Sequence, residues 1–120
     1  MKELTDKEME LMELLWKNPQ GLTMRELYDM LPEPRTHFNT VSTFVRRLEE
    51  EKFVEHKALG GRLFRYKATF SRWDYEKRER TSFVNRFFKG SSFSLVSHLV
   101  EEEEISKEEL EELLRLVRNS

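Results

Sequence analysis

Residues 36–66 read THFNTVSTFVRRLEEEKFVEHKALGGRLFRY, a capped helix running into a glycine-centred hairpin. Val41, Phe44, Val45 and Leu48 fall at i, i+3, i+4 and i+7, so one face of the helix is apolar. The other face carries Thr36, Asn39, Ser42, Thr43 and Arg46, with Thr40 and Arg47 at its edges. Short hydroxyl and amide side chains are poor helix formers because they compete for backbone hydrogen bonds. They are the groups that meet base edges and phosphates. A helix packed on one side and furnished this way on the other has the pattern of a DNA recognition helix.

The flanking sequence supplies the remaining parts of a winged helix-turn-helix. Thr5 with Glu8, and Thr23 with Glu26, form capping boxes, and Leu4/Met9 and Leu22/Leu27 are spaced as hydrophobic staples. The first helix carries Met9, Met12, Leu15 and Trp16 and stops at Pro19 and Gly21; the second runs to Leu31, before Pro32 and Pro34. The third starts near Thr36 and ends near Glu51. Phe53 to Ala68 then forms two strands around Gly60-Gly61. A two-residue loop places Glu55 and Lys57 beside Phe64 and Tyr66. A three-residue loop, Leu59 to Gly61 with Gly61 in a left-handed bulge, groups Val54 and Ala58 with Phe64 and Tyr66. The second gives the cleaner apolar face. Arg62 lies at the tip either way. Trp16, Phe44, Phe64 and Tyr66 read as core.

Residues 71–120 are wholly helical in pattern. Ser71 and Asp74 start a helix that carries Phe83, Val84, Phe87 and Phe88 and ends at Gly90; a second holds Phe93, Val96, Leu99 and Val100. The third opens with the Ser106/Glu109 capping box and carries Leu110, Leu113, Leu114 and Val117. Three short helices bury too little apolar surface alone. They must pack on the first domain or on a second copy, and two-fold DNA sites make dimerisation the economical solution. The expectation is a mainly α protein with a small β-hairpin wing: a winged-helix DNA-binding domain over 1–70 and a helical dimerisation region over 71–120. The dimerisation residues would be Phe83, Phe87, Phe88, Val96, Leu99, Leu110, Leu113, Leu114 and Val117.

Charge and composition narrow the function. The net charge is -2, yet residues 35–67 hold eight basic and four acidic side chains, +4, leaving -6 elsewhere. The positive charge therefore coincides with the recognition helix and wing. Thr36, Asn39, Thr40, Ser42, Thr43, Arg46, Arg47 and Arg62 are the candidate contacts to double-stranded DNA. No HExxH, GxxxxGK[ST], GxSxG or cysteine nucleophile is present, which argues against an enzyme. His37, His56 and His98 are scattered, so no metal or other cofactor is expected. With Cys 0, no apolar run of membrane-spanning length and no signal-peptide core at the start, a cytoplasmic setting without membrane insertion is expected. The alternative is a winged-helix module that binds protein, which would show an apolar patch on the third helix and no basic segment.

Four stretches carry a resemblance: LTDKEMELMELLW, NTVSTFVRRLEEEKFV, GGRLFRYKA and SFVNRFFKGSSFSLVSHLVEEEEIS. With them the chain resembles the penicillinase-repressor family of bacteria (the BlaI/MecI type, to which the copper-responsive CopY repressors also belong). The resemblance implies a homodimeric repressor of a β-lactam resistance or related sensor operon, binding a palindromic operator. It also implies release by a membrane metallopeptidase sensor that triggers cleavage within the dimerisation part. By motif position the cleaved bond is His98-Leu99, where the family pattern is Asn-Phe. His37-Phe38 stands where many members begin the recognition helix with Ser-Pro. The absence of cysteine excludes the copper-sensing branch, which carries a cysteine metal motif. Release by a ligand or a partner is the alternative to cleavage.

Overall fold

All three expected capping boxes form, and each sets a helix start. The computed structural model describes residues 2–120. Thr5, Thr23 and Ser106 each accept a hydrogen bond from the backbone N–H of Glu8, Glu26 and Glu109, whose carboxylates accept in turn from the capping residues' N–H groups. They open α1 (Asp6–Lys17), α2 (Met24–Asp29) and, near the end of the chain, α6 (Lys107–Arg118). Between α1 and α2 lies β1 (Leu22–Thr23), followed after α2 by α3 (Phe38–Glu50), β2 (Val54–Gly60) and β3 (Leu63–Ala68). Then come α4 (Arg72–Phe88) and α5 (Ser92–Glu101). Two compact units divide at Glu76/Lys77, inside α4. The 70/71 boundary read from the sequence falls before that helix; Tyr75, in its first turn, is buried in the core of the first unit.

In the first unit the sheet order is β1-β3-β2, antiparallel throughout. Its core gathers Leu11, Met12 and Leu15 of α1, Leu27 of α2, Val41, Val45 and Leu48 of α3, and Leu22, Phe53, Val54 and Tyr75. Leu4, Met9, Trp16, Phe44 and Tyr66 pack at its margin. Trp16 donates its indole N–H to the Phe70 carbonyl at 3.0 Å, and the Tyr75 hydroxyl accepts from Leu4 N–H at 3.1 Å, so the ends of this unit are tied together.

The hairpin corrects the expected register. Val54 pairs with Ala68, His56 with Tyr66 and Ala58 with Phe64, after which Gly60 pairs with Leu63. The irregularity falls between Ala58 and Gly60, at Leu59, and Gly61-Arg62 makes the turn. The expected loop was Leu59 to Gly61. Both registers keep Val54, Ala58, Phe64 and Tyr66 on one face because they differ by an even number of residues. Two glycines at φ +127° and +56° permit the tighter turn. Strand β1, which the sequence pattern did not reveal, adds a third strand by pairing Leu22 with Tyr66 and Thr23 with Arg65. Phe64 also departs from the reading as core: it is half-buried and packs edge-on against His56, ring centroids 4.9 Å apart.

In the second unit, Phe83 packs on Phe87 and Phe88, with centroids 5.1 and 5.9 Å apart, and Phe88 lies beside His98. Val84 is buried. Phe88, Leu95, Leu99, Ile105 and Leu110 are half-buried, while Phe83, Phe87, Phe93, Val96, Val100, Leu113, Leu114, Leu116 and Val117 are exposed.

Glu8 is the one charged residue in the buried class among the described residues, 5 % exposed. Burial alone would raise its pKa. Hydrogen bonds from Lys2 Nζ at 2.6 Å and from Thr5 outweigh that and hold the carboxyl below its ordinary 4.5. A depressed carboxylate contributes stability that is present above its unfolded pKa and lost as pH falls through the folded one. Glu8→Ala should therefore destabilise the protein by about 1–2 kcal/mol at pH 7. In urea melts at stepped pH, the gap from wild type should close as pH drops below the carboxylate range.

Candidate nucleic-acid interface

Helix α3 begins later than its sequence suggests. His37 is the N-cap, its Nδ1 accepting from Asn39 N–H at 3.2 Å, and Thr36 lies half-buried ahead of the helix. From there the apolar stripe decides the outward face. With Val41, Val45 and Leu48 buried, Asn39, Thr40, Thr43, Arg46 and Arg47 are exposed along one side. Ser42 leaves the expected row. It is 8 % exposed, because its position borders Val41 and Val45 at the edge of the stripe and its small side chain is covered by packing. Thr43 donates its hydroxyl proton to the Asn39 carbonyl at 3.0 Å and remains exposed.

The wing is fastened to this helix. His56 of β2 hydrogen-bonds through Nδ1 to the Glu49 carboxylate of α3, and its ring lies 5.7 Å from that of Tyr66. Burial raises the pKa of the Tyr66 phenol, the nearby Glu49 charge raises it further, and Arg46 partly offsets both. The end of α3 and the root of the wing are thus one electrostatic cluster. Arg62 is exposed at the wing tip, flanked by exposed Leu59 and Leu63, which the sequence reading did not single out.

Arg65 has a different task. Its stem lies across Gly21, where an added Cβ would come within 2.4 Å of the Arg65 Cγ; its Nε is buried without a hydrogen-bond partner. Gly21 has φ +98°, a conformation that disfavours any side chain. This arginine covers the turn before β1.

At the other end of α3 the ring of Phe38 packs edge-on against Tyr28 of α2, centroids 5.2 Å apart. Arg25 stacks over Phe38 with its guanidinium carbon 4.5 Å from the ring centroid. Arg35 lies 5.1 Å over Tyr28 and pairs with Glu33 at 2.7 Å and Asp29 at 3.8 Å. Neither arginine is visible as a site from spacing alone, because the α2 residues reach α3 only through the turn at Pro32 and Pro34.

Among the described residues no group of three or more His, Cys, Asp or Glu is arranged to hold a metal ion, and no helix is long and apolar enough to cross a membrane. The sequence pattern of the penicillinase repressor family matches residues 4–119. The chain belongs to that family. It is 28% identical over 115 residues to the penicillinase repressor of Bacillus licheniformis, covering 96% of this chain and 89% of that one. It is 25% identical over 115 residues to the methicillin resistance regulatory protein MecI of Staphylococcus aureus (strain N315), covering 96% and 93%. Among solved structures it is similar to MepR, a transcription regulator of the Staphylococcus aureus multidrug efflux pump MepA. The TM-score is 0.51 at 21% identity, over 98% of this chain and 77% of MepR. The family's members are DNA-binding transcriptional repressors, not enzymes. The resemblance first read from four sequence stretches and the winged-helix architecture are both borne out.

Proposed function

We propose that the protein represses transcription as a homodimer, with the exposed face of α3 in the major groove of each half of a palindromic operator. The observation that carries this reading is the segregation on α3. Asn39, Thr40 and Thr43 are exposed in its N-terminal half and Arg46 and Arg47 in its C-terminal half, with Arg62 exposed on a wing fastened to the same helix. Asn reads adenine through paired hydrogen bonds, and a threonine methyl contacts the thymine methyl. The arginines grip phosphates. Asn39→Ala or Thr43→Ala should cost about 1–3 kcal/mol and relax preference at single base pairs, whereas loss of Arg46, Arg47 or Arg62 weakens specific and random DNA alike. Each arginine lost should lower the salt slope by about one unit per half-site. Titrations of the DNA upstream of its own gene at several salt concentrations separate the two classes. Base variants that weaken every sequence equally would remove α3 from base reading.

Two copies are proposed to join through the second unit. Its exposed apolar side chains include Phe83, Phe87, Val96, Leu113, Leu114 and Val117; Phe88, Leu99 and Leu110 are half-buried beside them. Phe93, 81 % exposed, Val100 and Leu116 extend this surface beyond the residues expected from the sequence. So large an apolar surface is unusual on a monomer, and a two-fold DNA site accounts for a second copy. Phe87→Asp buries an unpaired charge in such an interface. It should yield monomers by sedimentation at micromolar concentration and far weaker operator binding, since the half-sites lose their linkage. A dimeric Phe87→Asp variant would place the interface elsewhere.

Release by proteolysis completes the proposal. The names of the relatives tie them to penicillinase and methicillin resistance, which supports a β-lactam response here. His98 and Leu99 lie inside α5, with His98 exposed and Leu99 half-buried, so a protease must unwind the end of that helix. The end is poorly defended. Glu103 sits at φ +59°, costly for a residue with a Cβ, within four consecutive exposed carboxylates, Glu101 to Glu104. Co-expression with a membrane metallopeptidase encoded beside its gene, followed by a β-lactam, should produce fragments split at His98-Leu99. An intact chain with lost repression would instead assign release to a ligand or partner.

A further inference from the structure

We propose that Arg25 is a DNA-phosphate contact at the entrance to α3, held ready by the ring of Phe38; this rests on the DNA-binding reading above. Arg25 is the second residue of α2 and is exposed. Its guanidinium carbon lies 4.5 Å from the centroid of Phe38, the first residue of α3, and 5.9 Å from that of Tyr28. Phe38, over which the cation lies, immediately precedes Asn39, where the exposed polar face begins.

What separates Arg25 from its neighbours is that its charge is unspent. Among the described residues no carboxylate lies within ion-pair distance of it. The two nearest acids in sequence on α2 are engaged elsewhere. Glu26 accepts from Thr23 N–H at 2.8 Å, and Asp29 lies 3.8 Å from Arg35. Arg35 shows the opposite case: stacked over Tyr28, it is already matched by Glu33 and Asp29. It braces the turn between α2 and α3.

The chemistry of the stack selects the partner. A guanidinium held over an aromatic face by its charge spends no N–H donor on a carboxylate, and those donors match two oxygens of one phosphate. The ring also orders a long side chain before binding, which removes part of the entropic cost of fixing it on DNA. Phe38 is in turn held edge-on by Tyr28, at 5.2 Å. Phe38 is thus a positioning residue for Arg25, and the two together link α2 to the DNA face of α3. Lysine, a point charge with no planar face, would keep the attraction and lose the stack.

The test uses the full chain and two labelled duplexes of equal length, one from the DNA upstream of its own gene and one of random sequence. Binding is read by anisotropy across a salt series. Arg25→Gln should weaken both duplexes by about three- to tenfold and lower the salt slope by about one unit per half-site engaged. Arg25→Lys should keep the slope but bind more weakly than wild type. Phe38→Leu should weaken binding with the slope unchanged, and adding Arg25→Gln to it should cost less than Arg25→Gln alone. Thermal melts identify any variant that fails to fold, and Arg25→Lys, the mildest change, then carries the test. If Arg25→Gln matches wild type in affinity and slope while Arg46→Gln lowers both, Arg25 lies outside the interface and the DNA-binding reading stands. Wild-type affinity in Arg25→Lys, or additive losses in the Phe38→Leu pair, would overturn the stacked geometry. No salt-dependent binding by the wild-type chain would overturn both proposals.

Discussion

Burial of the α3 stripe is the constraint on which the proposed DNA-facing surface depends. Val41, Val45 and Leu48 enter the same core as Leu11, Met12 and Leu15 of α1 and Phe53 and Val54 beyond the helix. A helix has only one direction left once a face is buried this fully. Asn39, Thr40, Thr43, Arg46 and Arg47 are exposed because the apolar residues are not. Losing the stripe would remove what orients the outward residues without touching one of them.

The wing follows from the same contact. Phe53 N–H donates to the Leu48 carbonyl at 2.8 Å, so the chain leaves α3 directly into the sheet. Thr69 N–H returns to the Phe53 carbonyl at 3.0 Å and closes the base of the hairpin. Between these points His56 reaches back to Glu49, fixing the hairpin to the helix by a polar contact as well as an apolar one. Arg62 is consequently carried on a frame that moves with α3. The second unit has no comparable core: Val84 is its one apolar side chain in the buried class among the described residues, against eleven hydrophobic residues in the first unit's core cluster. That imbalance is the physical argument for a second copy.

Much of this is legible in the sequence, for identifiable reasons. Capping boxes are local, needing only Thr or Ser and a Glu three positions on, so the starts of α1, α2 and α6 could be read directly. The helical period of Val41, Phe44, Val45 and Leu48 gave the buried side of α3. What escaped was non-local. Strand β1 is two residues long and exists only because Leu22 and Thr23 meet Tyr66 and Arg65 across the sheet. The hairpin register depended on where two adjacent glycines turn, and alternation alone reveals a face but not the rung. Ser42 looks polar in sequence and is covered in space because a small side chain at the edge of a buried stripe is reached by its neighbours.

The sequence by itself determined the starts of α1, α2 and α6, the apolar side of α3, the concentration of positive charge over residues 35–67 and the membership of a repressor family. These are properties of spacing and composition, which need no knowledge of what the chain meets when it folds. Only the tertiary structure decided which arginines are spent and which remain. Arg35 is matched by Glu33 and Asp29, Arg65 covers Gly21, and Arg25 lies unpaired on Phe38. Identical side chains differ here because a charge acts through its nearest partners, and those are set by elements brought together from separate parts of the chain.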